Sequence, residues 1–271
     1  MNRLLTYILL LAISLAFLFP LLWMLSVSSK GPTEVFEPTF LPREVRTDAY
    51  REIIRSDHFD FPLYARNTLI IVVLSLGGVL LSSSIAAYGF ARIPFRGRGV
   101  MFGICLATMM IPFPVIMVPT YMIFKDLGWI GTFKPLWIPA WFGGAFNIFL
   151  LRQFFLGIPQ ELEESAMLDG CSRWGCFWRI MLPLAKPALA VVALFHVLAV
   201  WNDLVGPLIY LTHQDHFTLA LGLQALHSKS GDTPWNQLMA ASAMIVAPVV
   251  VLFLFAQRTF IRGIATTGLK G

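Results

Sequence analysis

Three groups of residues in the sequence have the types and spacing to do chemistry. Asp203 is the one acid in the apolar stretch 187–212, and His196 stands seven positions before it, two helical turns away on nearly the same face. Inside a membrane such a pair reads as a proton relay, because ionisable side chains there are costly and functional by default. The plainer reading packs His196 neutral in a bundle and sets Asp203 against the outer interface or helix-end groups. Trp201 and Asn202 directly precede Asp203. An indole face stacks on a sugar ring, and amide or carboxylate groups bind hydroxyls, so Trp201, Asn202 and Asp203 are candidates to line a sugar passage. A Trp at an outer interface is equally an ordinary membrane anchor. The third group is acidic: Glu161, Glu163, Glu164 and Asp169, within the polar segment 157–170.

Other chemistry is poorly supplied. His213 and His216 flank Asp215, a weak metal set. Cys105 lies in an apolar run, and Cys171 and Cys176 share a polar loop without forming a CxxC pair, so neither a zinc site nor a disulfide framework is indicated. HExxH, GxSxG and GxxxxGK[ST] are all missing; without the last, the chain has no phosphate loop for ATP. No cofactor is expected on this chain.

The elements that must position these residues follow from composition. The chain has 271 residues, 57% hydrophobic and 13% charged, with mean hydropathy +0.73. A soluble domain carries about 45–50% apolar and about 25% charged residues, which excludes a water-soluble globular protein. Residues 4–29, 67–91, 99–124, 135–151 and 233–257 contain no Asp, Glu, Lys or Arg, and 187–212 contains only Asp203. Each is long enough, or nearly so, to cross a hydrocarbon core needing about 20 residues; the fourth is the shortest and is expected to extend toward Arg152. The first exceeds the roughly 7–15 apolar residues of a signal peptide, which predicts a retained helix. Pro112, Pro114 and Pro119 interrupt the third span, as a gating kink or a static one.

With the N-terminus in the cytoplasm, the inner segments hold 11 basic residues against four acids. The short loop holding Arg92, Arg96 and Arg98 votes most strongly, because the positive-inside rule works best on short loops. Both termini are then expected inside. A net charge of +5 is explained by this topology, and basic residues interleaved with aromatics, as nucleic-acid binding would need, are missing. The outer segments, about 30–63 and 213–232, are too short to be enzymes; the first is rich in proline and aromatics, as a folded cap would be.

The inner segment 157–170 predicts a helix of about three turns. Pro159 suits a first helical position, the three glutamates complement a helix N-terminus, and Gly170 suits a left-handed stop. Three acids beside an anionic leaflet argue against a helix resting on lipid headgroups.

Glu164-Ser165-Ala166-x-x-Asp169-Gly170, followed by Phe177, Ile180, Leu182-Pro183 and Pro187, resembles the EAA loop of ABC importer permeases. Trp201-Asn202-Asp203 with Pro207-Leu208 resembles the WN(D/E)…PL stretch of the carbohydrate branch, and 87–92 with Phe95-Arg96-Gly97 is similar to its AYxxAR…FxGR. The tail 262–271 looks like the end of maltose-type inner permeases. Ser165 replaces the usual second alanine and Cys171 the usual small residue after the glycine; both are small.

The resemblance implies an all-α membrane protein with six transmembrane helices and the type I importer (MetI-like) fold. It implies one permease domain over 1–271 and a cytoplasmic coupling helix at 158–170. It implies no enzyme activity on this chain, with ATP hydrolysis on a separate subunit, and a multi-pass place in a bacterial inner membrane. The implied partners are a second permease subunit, two ATP-binding subunits, an extracytoplasmic solute-binding protein, membrane lipid and a sugar substrate, with no nucleic acid. Of the ATPase-coupling residues Glu164, Ser165, Ala166, Asp169 and Gly170, Glu164 would make polar contacts in the ATPase groove, Ala166 would allow close approach, and Gly170 would permit the turn. Closure of the ATPase would move this helix as a lever. Glycerol-3-phosphate or another polyol is the alternative cargo. The competing classes are a proton-coupled carrier using His196 and Asp203, although inverted repeats are not apparent, and a structural membrane protein indifferent to changes at 164–170.

Overall fold

The structure is a computed structural model that describes residues 3–55, 59–229 and 234–267. Among these residues no β-strand forms. The helices are α1 (Arg3–Ser28), α2 (Asp48–Arg55), α3 (Phe61–Arg92), α4 (Arg98–Ala107), α5 (Phe113–Asp126), α6 (Lys134–Trp137) and α7 (Ala145–Gly157). They continue with α8 (Glu161–Leu168), α9 (Arg173–Cys176), α10 (Leu182–Leu184), α11 (Lys186–Trp201), α12 (Val205–Tyr210), α13 (Leu219–Lys229) and α14 (Trp235–Thr267). A π-helical turn, Phe177–Met181, joins α9 to α10. Among the described residues three helices, α1, α3 and α14, are singly long and apolar enough to cross a membrane, and up to six spans result if each bent pair counts as one. Such spans must be helical, because lipid offers no partner for a backbone N–H or C=O.

The third span is not a kinked rod. Arg98–Met110 and Phe113–Asp126 meet at 97°. Ile111, forced from the α region by the proline after it, is extended at φ −81°, ψ 114°, and Pro112 follows at φ −70°, ψ 141°. The fourth span runs past Arg152 to Gly157 but breaks at Gly143, whose φ of +83° suits only glycine. Helix α3 repairs that break. Ser82 Oγ donates to Ala140 O at 3.2 Å, the N–H of Gly144 donates to Ser83 Oγ at 3.4 Å, and Trp141 Nε1 donates to Leu74 O at 3.1 Å. The indole lies so close over Gly78 that a Cβ there would stand 2.4 Å from it.

The chain divides into two compact units. The first comprises residues 1–66 and 217–252. The apolar window of α1 is wholly unburied within the chain, but its end is anchored: Ser28 Oγ and Tyr50 Oη lie 2.7 Å apart. Lys30, 1% exposed, donates to the Glu37 and Thr39 carbonyls and to Thr39 Oγ1, and stands 5.5 Å over the Trp23 ring. A buried ammonium needs such a full set of acceptors. Tyr64 packs edge-on against Phe59 at 5.2 Å and over Gly222, where no Cβ fits. The segment after α1 is therefore folded. Within it, Arg43 donates its backbone N–H to Glu34 Oε1 at 2.6 Å, and that bond chiefly lowers the Glu34 carboxyl below its usual value.

The second unit comprises 67–216 and 253–271. Its core gathers Ala87, Tyr88 and Ala91 of α3, Ile148, Leu151 and Phe155 of α7, and the stripe Phe177, Met181, Ala185, Ala188 and Val192 running from the π turn into α11. The intervals of three and four along each segment place these side chains on one face. The alanines let backbones approach closely, as helix packing in lipid requires. This core lies at the Arg92 end of α3, which is where α8 leaves the bundle.

Candidate coupling site at the short acidic helix

Helix α8 occupies Glu161–Leu168, two turns rather than the expected three. Pro159 is not its first residue. Ile158, preceding the proline, is extended at φ −79°, ψ 134°, and the helix begins when the N–H groups of Glu163 and Glu164 find Gln160 O at 3.0 and 3.1 Å. The stop is as expected. Gly170 has φ +85° and its N–H donates to Met167 O at 3.1 Å, while the N–H of Cys171 donates to Ala166 O at 2.9 Å. That double closure is the Schellman arrangement, which needs the left-handed residue.

Of the residues of α8 only Glu163 is buried. Glu161, Glu164 and Ser165 are exposed, Ala166 is half-buried, and Asp169 and Gly170 beyond it are exposed. Leu162, Met167 and Leu168 are exposed too, Leu168 to 89%. The short helix thus shows leucine, methionine and glutamate together on its outer face.

Glu163 turns the other way. Tyr88 Oη donates to Glu163 Oε1 at 2.8 Å and lies 3.1 Å from Arg173 O. Glu163 Oε2 stands 3.2 Å from Arg92 Nε, an ion pair whose Nε–H is not aligned for a hydrogen bond. Tyr88 and Arg92 are four apart on α3, hence on one face. Arg92 Nη2 also donates to Phe155 O at 2.6 Å and to Ile158 O, the last carbonyls around the end of α7. Arg152 of α7 reciprocates: its Nε donates to Phe90 O of α3 at 3.2 Å, and its guanidinium stacks over Phe102 at 4.2 Å. Each helix end thus receives the other's cation, the favourable sign at a C-terminus. A cavity of about 880 Å³ opens beside the cluster, lined among others by Arg92, Arg98, Gln160, Glu161, Glu164 and Met167.

Sequence reasoning placed Glu164, Ser165, Ala166, Asp169 and Gly170 on one surface element, and the structure brings them together there. It counts Glu163 only as a helix-end acid, and Tyr88 and Arg92 only as members of the 87–92 motif, Arg92 being a topology signal as well. The i, i+4 spacing of Tyr88 and Arg92 at the end of a long apolar helix was the available clue.

The second candidate group is dispersed. Helix α11 ends at Trp201, so Asp203 is not part of it. Trp201 is buried, whereas Asn202 is exposed and donates to Leu198 O at 2.8 Å. Asp203 Oδ1 accepts from the N–H of Gly206 at 3.1 Å, a helix-start cap for α12. Asp203 also lines a cavity of about 420 Å³ together with Phe113, Thr120, Phe124, Pro135 and Tyr210. His196 Nε2 lies 2.9 Å from Ser75 Oγ. His216 packs edge-on against Phe133 at 5.2 Å. Among the described residues no group of three His, Cys, Asp or Glu is placed to hold a metal.

Comparison with known proteins agrees with this architecture. Residues 78–266 match the family model described as "Binding-protein-dependent transport system inner membrane component". The arabinooligosaccharide transport permease AraQ of Halalkalibacterium halodurans is 35% identical over 260 residues, spanning 93% of this chain and 91% of its own. The diacetylchitobiose uptake permease DasC of Streptomyces coelicolor is 32% identical over 93% of this chain and 92% of its own. The trehalose/maltose permease MalG of Thermococcus litoralis is 31% identical, over 94% and 92%. A chain from the crystal structure of a bacterial ABC transporter involved in alginate import superposes with TM-score 0.84 over 95% of this chain and 98% of that one, at 24% identity, a likeness of fold. The chain belongs to the family of binding-protein-dependent transport system inner membrane components.

Proposed function

We propose that this chain forms half of the translocation channel of an ATP-driven importer for a sugar or oligosaccharide. The observation that carries it is the end-to-end similarity to three permeases named for oligosaccharides or disaccharides, joined to a short exposed helix of the required form. A second permease completes the channel, two ATP-binding subunits hydrolyse ATP, and an extracytoplasmic binding protein delivers the solute. Both termini and α8 face the cytoplasm, where 11 basic residues gather.

Helix α8 is the docking element. Glu164 makes polar contacts in a groove of the ATP-binding subunit, and Ser165 and Ala166 keep the helix thin enough to enter it. Asp169 and Gly170 turn the chain back toward the bundle. When the ATP-binding subunits close, α8 moves and the bundle switches between inward-open and outward-open states. Of Trp201, Asn202 and Asp203, Asp203 is the one lining a cavity and is the first choice for contact with a passing solute. The relay reading has less to stand on, since His196 and Asp203 each bond to another group.

The test is a detergent pull-down of the tagged chain from its native membrane, read by mass spectrometry and an ATPase assay, followed by uptake of labelled oligosaccharides into vesicles. Recovery of a second multi-span permease and an ATP-binding subunit, with sugar uptake, is expected. A chain recovered alone, without ATP hydrolysis in the eluate, would contradict the proposal.

A further inference from the structure

Glu163 is the single buried residue of helix α8, while Leu162 and Met167 are 43% and 38% exposed and Leu168 is 89% exposed. The side chains that receive Glu163 belong to the last turn of α3: Tyr88 through its hydroxyl and Arg92 through its guanidinium. Both sides of the ion pair are more than nine-tenths buried, at 9% and 7% side-chain exposure. The surroundings are stiff. Tyr88 packs against Phe155 at 6.2 Å and Phe177 at 5.1 Å, and Arg92 Nη2 is fixed to carbonyls at the end of α7.

We infer that Glu163, Tyr88 and Arg92 form the joint through which a displacement of α8 reaches the membrane-spanning helices, with these three as positioning residues for transport. This rests on the importer assignment and deepens it. Two features distinguish a joint from a plain structural pair. A single buried carboxylate on a mostly exposed helix gives the helix a pivot and leaves its outer face for a partner. Arg92 Nε is also a buried donor 3.2 Å from a carboxylate oxygen yet out of line with it. Buried donors are ordinarily satisfied, and a small tilt of α8 about Glu163 would align this one. Arg92 simultaneously holds the end of α7, and Arg152 of α7 holds α3. A push on Glu163 would therefore reach the ends of α3 and α7 together.

The experiment uses the complete transporter co-purified through this chain and reconstituted in vesicles with its binding protein. Solute uptake per ATP hydrolysed is read for the wild type, Glu163→Gln, Tyr88→Phe and the double variant. Glu163→Gln keeps the shape and an acceptor for Tyr88 but removes the charge facing Arg92, and Tyr88→Phe keeps the ring packing. The expected result is that the subunits still co-purify while uptake per ATP falls roughly ten-fold for Glu163→Gln, within the usual range of coupling between sites. A smaller fall is expected for Tyr88→Phe, with the double variant no worse than Glu163→Gln alone. Wild-type uptake per ATP in Glu163→Gln would overturn the joint. So would failure of both single variants to assemble, which would make the cluster a folding element only. If the wild-type chain itself brings down no ATP-binding subunit, it is the importer assignment that fails.

Discussion

The two ends of the second unit solve the same problem differently. Each has an acid where a helix stops and another begins: Glu163 near the junction of α7 and α8, and Asp203 at the junction of α11 and α12. Glu163 spends its oxygens on a different helix, reaching Tyr88 and Arg92, 75 and 71 positions away. Asp203 bonds to the N–H of Gly206, three residues on. A long-range charge pair ties elements together and carries force between them. A local cap fixes only its own turn and leaves the neighbouring space, a cavity of about 420 Å³, open.

The largest effect is expected where the exposed helix turns back. Gly170→Pro asks for φ near −65° at a residue that holds +85°, so uptake should vanish while membrane insertion and abundance persist; unchanged uptake would remove α8 from the mechanism. Next, Arg92→Ala strands the buried Glu163 and leaves two carbonyls without their donor. It should destabilise the purified complex by about 3–5 kcal/mol, seen as a lower thermal midpoint in detergent. Gly78→Ala sets a methyl into the Trp141 indole; overpacking typically costs about 1–3 kcal/mol, so the midpoint should fall by less.

The Asp203 end should respond more weakly and to a different rule. Asp203→Ala loses a cap worth about 1 kcal/mol, whereas Asp203→Asn keeps an acceptor for Gly206. If the residue is only a cap, uptake by the Asn variant matches wild type. A KM raised several-fold with kcat unchanged would instead show the charge meeting the solute. Smallest of all, His196→Gln can still bond Ser75 Oγ and should leave uptake, and its insensitivity to a dissipated proton gradient, as in the wild type.

Much of this was legible in the sequence because it obeys short-range rules. Charge-free lengths marked the spans, and Gly170 announced the stop of α8. What was not legible depended on long-range pairing. The 97° turn at Ile111-Pro112 needs more than proline, since a single proline kinks a helix without reversing its course. The break at Gly143 is tolerable only because Ser82 and Ser83 stand opposite, some 60 residues earlier. Glu163 looked like its neighbours Glu161 and Glu164; its burial follows from where Tyr88 and Arg92 lie, which no local pattern states. The apolar stretch 187–212 predicts one continuous helix through Asp203, yet the chain unwinds at Asn202, and the acid serves the helix that follows.

A photo-crosslinking side chain at the most exposed large hydrophobic residue of α8, Leu168, reads directly whether the ATP-binding subunit grips this helix. Leu168→benzoylphenylalanine in the assembled complex, irradiated in native membranes, should join this chain to the ATP-binding subunit, and the same group at Met110, 83% exposed, should not. An intact, hydrolysing complex in which the group at position 168 reaches only lipid or solvent would contradict the account.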